Sequence, residues 1–137
     1  MNAVNRNSNE KHIVIAIGAS AGGLQSLTHF FEHIEDDSFY TFVIIQHLSP
    51  DYNSFTDELL SKSTKVSISD AVDGEYLEKQ HIYVVPSSKN LVLQDKKMKL
   101  VDKPKGKTLN LPVDIFFESL AINFKQNAVG IIVSGTG

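Results

Sequence analysis

The chain has no cysteine and no tryptophan. Without thiols there can be no disulfide, no thiolate metal site and no cysteine nucleophile. Four prolines and eight glycines in 137 residues are too few for a collagen-like or low-complexity chain. No apolar run approaches the roughly 18–20 residues that span a bilayer, so no membrane insertion is expected. Excess positive charge is also lacking: 13 Lys and Arg stand against 16 Asp and Glu, a net charge of -3. The electrostatic footprint of a nucleic-acid binder is therefore absent, and pairs such as Lys96-Lys97 read as turn and solvent positions. Residues 1–10, Met1 to Glu10, are polar and rich in Asn, with no apolar core of a signal peptide. They read as a disordered tail, and a cytoplasmic location is expected. What is present, 42% hydrophobic and 21% charged residues, is the balance of one soluble domain over 11–137.

Buried strands alternate with amphipathic helices along that domain. His12 to Ile17 and Phe42 to Gln46 are continuous apolar, mostly β-branched runs, the pattern of strands covered on both faces. Between them Leu24, Leu27, Phe30, Phe31 and Ile34 recur at helical spacing. Ser54, Asp57 and Glu58 predict a capped helix to about Lys62. Val66 to Ile68 and His81 to Val85 read as further strands, with a turn at Asp73-Gly74 between them. Leu91 to Leu93 and Met98 to Val101 flank Asp95-Lys96-Lys97 as a hairpin. After a Lys-rich loop, Pro112 suits the first turn of a helix whose apolar face is Val113, Phe116, Phe117, Leu120 and Phe124. Val129 to Val133 is the last strand. The order predicts a doubly wound, mostly parallel α/β sheet with helices on both faces and a small β-hairpin insertion. Ligands in such sheets bind beyond the carboxyl ends of the strands. Three of those ends carry unusual residues: Gly18-Ala19-Ser20, Gln46-His47 and Ser134-Gly135-Thr136-Gly137.

Gly18-Ala19-Ser20-Ala21-Gly22-Gly23 has two functional readings. As a dinucleotide turn it is defective, because Ser20 holds the middle glycine position and no acid follows the second strand. As a nucleophile elbow, G-x-S-x-G, it is met by Gly18, Ser20 and Gly22. The following helix would aim free N–H groups and its positive end at a developing oxyanion. A plain helix N-cap serine is the competing structural reading. His47 tips the balance, since a serine nucleophile needs a base within hydrogen-bond reach. It is the one histidine of five at a strand's carboxyl end; His12 and His81 begin strands. His29 and His33 lie on the first helix at a metal-compatible spacing, but no acidic pair completes a site, and no metal or cofactor is expected. A loop histidine capping backbone groups stays open for His47. Non-catalytic binding on the same fold also stays open as a function.

These residues resemble those of CheB-type protein-glutamate methylesterases. The motifs Ile17 to Gly23, Ile45 to Pro50, Asp73 to Glu75, His81 to Pro86, Leu111 to Asp114 and Ile131 to Gly137 occur in the order of that family, across nearly all of 11–137. The resemblance implies a serine hydrolase that demethylates glutamate γ-methyl esters on chemoreceptors, releasing methanol, with deamidation of glutamines in many relatives. It makes Ser20 the nucleophile, His47 the base, and the backbone N–H groups of Ala21 and Thr136 the oxyanion donors. Thr136 stands where Met is frequent, Ala21 where Thr is frequent, and Asn90 where many relatives carry His. The family's catalytic Asp would fall two positions past Gly137, outside this chain. Asp114, in a helix's first turn, reads as a partner of the helix dipole instead. Loss of the orienting carboxylate costs on the order of 10⁴-fold in another triad, so this length of chain is expected to be nearly inactive. It is also expected to fold poorly or to associate through an uncovered edge. Partners implied are the cytoplasmic region of a methylated chemoreceptor and, because the Gln46 to Pro50 and Ser134 to Gly137 variants resemble members fused to one, a downstream CheR-like methyltransferase domain; residues 1–10 are too short for the receiver domain that the best-known members carry in front.

Overall fold

The computed structural model describes residues 11–20, 23–34, 39–46, 56–105 and 110–133. Five parallel strands form the central sheet: β1 (Ile13–Ala19), β2 (Tyr40–Gln46), β3 (Ser67–Asp70), β4 (His81–Val84) and, last in sequence, β7 (Ala128–Val133), in the order β3-β4-β2-β1-β7. Between β4 and β7 in sequence lies an antiparallel hairpin of β5 (Lys89–Gln94) and β6 (Lys97–Asp102). The predicted doubly wound architecture is what the chain adopts.

Alternation along each strand splits the core in two. Ile17, Ala19, Phe42, Ile44, Ile82 and Val84 face α1 (Leu24–Glu32) and α2 (Thr56–Ser61), meeting Leu27, Phe31 and Leu60. Edge-to-face contacts of Phe42 with Phe31 at 5.1 Å and with Phe30 at 6.1 Å fix α1 on β2. Val14, Ala16, Val43, Ile45, Tyr83 and Val85 face the other way. There Phe116, Leu120 and Phe124 of α3 (Pro112–Phe124) and Leu91, Leu93 and Met98 of the hairpin cover them. Side chains of α3 also hold the hairpin's edge: the Leu93 N–H donates to Ser119 Oγ at 3.1 Å, and Asn123 Nδ2 donates to the Leu93 carbonyl at 3.1 Å. A strand edge that would otherwise be open is thereby satisfied.

Boundaries differ from expectation where a local contact decides them. Helix α1 stops at Glu32, not at Ile34. His33 leaves the helix and its Nδ1 bonds the His29 carbonyl at 2.9 Å, capping the last turn. Strand β1 runs through Gly18 to Ala19, because both residues keep their partners in β2 and β7. Pro112 opens α3 as predicted, and Gly74 takes the left-handed turn position at φ 90°. The capping segment proposed around Ser54 lies outside the described residues.

Candidate active site

The chain leaves β1 at its carboxyl end, and β1 is where the sheet changes direction. From β1 the chain crosses over α1 to β2 on one side; β7, reached after α3 on the opposite face, lies on the other. The end of β1 is thus a topological switch point, where crossovers diverge and leave a crevice. Ser20 stands there, exposed, one residue past the last strand position. Its N–H reaches the Val133 carbonyl at 3.4 Å, and its own carbonyl accepts the Gly23 N–H at 2.8 Å, closing the turn into α1.

The N-cap position of α1 is Gly23, which has no side-chain cap. Ser20 is therefore three residues ahead of the place a helix-capping serine would take. Nor is its backbone left-handed. Among the described non-glycine residues positive φ occurs at Gln80, Asp95, Lys96 and Lys125, so this elbow exposes its serine without that strain.

The glycines have a different basis from the one their spacing suggests. A Cβ on Gly18 would lie 2.7 Å from Val113 Cγ1 and 3.0 Å from Ile132 Cδ1. Gly18 is bare so that the first turn of α3 can rest on β1, not to relieve the serine. A Cβ on Gly23 would meet Ala19 Cβ at 3.3 Å and Val133 Cγ2 at 3.4 Å, which lets α1 start close against the ends of β1 and β7. Both contacts bring a helix N-terminus to the Ser20 end of the sheet. Asp114 sits exposed in the first turn of α3, where an acid favours the helix dipole.

Register aligns the three motif-bearing ends. Ala19 lies opposite Gln46 of β2 and opposite Val133 of β7. The next residues in sequence are Ser20, His47 and Ser134. His47, Ala21 and Thr136 lie outside the described residues, as does the tail 1–10.

Two other histidines engage hydroxyls at the opposite end. His81 Nε2 is 2.7 Å from Ser69 Oγ, and His12 Nε2 is 2.7 Å from Thr41 Oγ1, whose proton goes to the Glu78 carbonyl. Burial lowers the His81 pKa from its ordinary value, with Glu78 opposing, and burial raises that of the adjoining Tyr83. The Ser69–His81 pair resembles a catalytic dyad in contact but not in place. His81 is level with Thr41 of β2, five residues before Gln46, on the order of 16 Å along the strand from the Ser20 end.

Asn90 has a structural role. Standing where many relatives carry His, it is buried in β5 and exchanges two amide hydrogen bonds with Asn110, at 2.7 and 3.3 Å. Its amide ties the hairpin to the start of α3, so its donor and acceptor are used inside the fold. Nothing in the sequence marked Asn110 as its partner.

Comparison with known proteins follows the same outline. A family model described as CheB methylesterase matches residues 15–137. The protein-glutamate methylesterase/protein-glutamine glutaminase of Salmonella typhi is 34% identical over 134 residues, covering 95% of this chain. That of Xanthomonas euvesicatoria pv. vesicatoria is 34% identical over 128 residues. The chain spans 38% and 36% of the lengths of these two relatives. The crystal structure of the Thermotoga maritima CheB methylesterase catalytic domain superposes with a TM-score of 0.81 at 22% identity, over 93% of this chain and 69% of that one. That likeness concerns the fold.

Proposed function

The chain belongs to the CheB methylesterase family, and from that premise we propose that it carries the nucleophile and base of a protein-glutamate methylesterase acting on chemoreceptors. The observation that carries the reading is the exposed Ser20 at the switch point of the sheet, level with the ends of β2 and β7. Because Ala19 is opposite Gln46, Ser20 and His47 each follow from neighbouring strands about 4.8 Å apart, a spacing suited to a hydroxyl–imidazole hydrogen bond.

In this mechanism His47 takes the Ser20 proton as Oγ attacks the γ-ester carbonyl. The N–H groups of Ala21 and Thr136 stabilise the oxyanion, helped by the N-terminus of α1. His47 then returns the proton to the departing methoxide, and methanol leaves. Water, deprotonated by His47, cleaves the acyl-enzyme to free carboxylate and regenerated serine. A glutamine side chain passes through the same acyl-enzyme with ammonia as the leaving group.

Methanol released from a methyl-esterified receptor fragment tests the assignment. Whatever its rate, release should be lost in both Ser20→Ala and His47→Ala. Release that persists in Ser20→Ala overturns it.

A further inference from the structure

Residues 89–105 hold six lysines against two aspartates, Asp95 and Asp102, a net charge of +4. The whole chain carries -3, so everything outside this stretch carries -7. The lysines are also ordered. Lys97 and Lys99 occupy alternate positions of β6, opposite Gln94 and Val92 of β5, on the face turned away from buried Met98 and Leu93. Val101 takes the next alternate position, and half-buried Lys103 and exposed Lys105 resume the alternation past the strand end, where Pro104 restricts the residue before it to extended backbone. Among the described residues of this stretch, the lysine with a carboxylate partner is Lys89, paired with Asp102. Lys97 lies over the half-exposed Tyr76 ring at 5.2 Å, and Lys99 contacts Gln94. Asp73, at the margin of the same face, already accepts the Leu100 N–H.

We infer that this lysine row is a docking surface for an acidic polypeptide, the glutamate-rich protein on which the proposed esterase acts. The inference rests on that esterase reading for the partner's identity and on charge for its fit. Alternate strand residues are about 6.7 Å apart, so the row from Lys97 to Lys105 extends about 26 Å. Val101 interrupts the row, so carboxylates one helical turn apart, about 5.4–6 Å, meet it at two lysine pairs, Lys97–Lys99 and Lys103–Lys105. The row also runs towards the serine. Its Lys103–Lys105 end follows the Lys89–Asp102 pair, beside the Asn90–Asn110 link to the start of α3. That first turn of α3 touches Gly18, two residues before Ser20. A nucleic acid or an anionic bilayer fits less well: the -7 on the remaining surface repels any polyanion broad enough to pass beyond the row.

Fluorescence anisotropy with a labelled helical peptide bearing Glu once per turn tests this on the whole chain. The chain should bind it, and the fourfold variant Lys97→Gln, Lys99→Gln, Lys103→Gln, Lys105→Gln should bind about tenfold more weakly or worse. The matching Arg variant should bind as the parent does, and raising salt from about 0.05 M to 0.5 M should weaken all three towards one level. Unchanged affinity in the Gln variant with an unaltered circular dichroism spectrum overturns the proposal. So does tighter binding to phosphatidylglycerol vesicles or to a single-stranded oligonucleotide than to the peptide. Labelling of Ser20 by a serine-directed reagent, measured on the same samples, reports on the esterase reading separately, because the lysine variants leave that site intact.

Discussion

Gly18→Ala separates two reasons for a glycine in the elbow. If Gly18 served only the turn, its backbone would be the point; the contacts say that space for Val113 is. A new Cβ would sit 2.7 and 3.0 Å from the two Val113 methyls and 3.0 Å from Ile132 Cδ1, so α3 must move or Val113 must leave its rotamer. Overpacking of this kind costs about 1–3 kcal/mol. Alanine recovers about 0.5–1 kcal/mol over glycine within a strand, leaving a net loss of about 1–2 kcal/mol. For a domain of this size each kcal/mol lowers Tm by about 4 °C, so a drop of about 4–8 °C is expected. The double-mutant cycle with Val113→Ala is the decisive assay, followed by thermal and urea unfolding. In the Val113→Ala background, Gly18→Ala should cost nothing or stabilise slightly. An equal loss in both backgrounds would show that the backbone, not the helix contact, requires glycine. No loss in either would refute the packing argument outright.

Burial lowers the His81 pKa below its ordinary 6.5, so the folded state resists a proton that the unfolded chain accepts. The stability this group supports is full above about pH 6.5 and declines as pH falls from there towards the lower folded value. His81→Gln should therefore flatten the fall in Tm between about pH 7 and pH 5; an unchanged slope would mean that His81 does not titrate this way. Asn90→Ala leaves the Asn110 amide without its reciprocal partner and should cost about 1–3 kcal/mol in urea unfolding. A loss under a few tenths would show that solvent replaces the pair.

Much of the architecture was legible because its signals are local. The β-branched runs of β1 and β2 and the helical spacing of Leu27 and Phe31 each fall within one element, and each element formed. Pro112 and Gly74 likewise act through their own backbone. What the sequence could not show were contacts between distant segments. Gly18 looked like part of a turn because Val113, the residue it accommodates, is 95 positions away. Asn90 bonds the amide of Asn110, 20 positions away, a pairing that no local pattern marks. His81 was read as a strand start without a role, and its hydroxyl partner Ser69 comes from a neighbouring strand. Strand order was legible as a class but not in detail. That β7 flanks β1, opposite to β2, is what makes the end of β1 a switch point.

The central claim is that Ser20 is a nucleophile served by His47, and covalent labelling with a fluorophosphonate, mapped by peptide mass spectrometry, tests it most directly. Mapping matters because Ser69, hydrogen-bonded to His81, is a serine with an imidazole neighbour. The account predicts an adduct on Ser20 that disappears in Ser20→Ala and is strongly slowed in His47→Ala. An adduct on Ser69 with Ser20 unmodified, or labelling of Ser20 indifferent to His47→Ala, would contradict it.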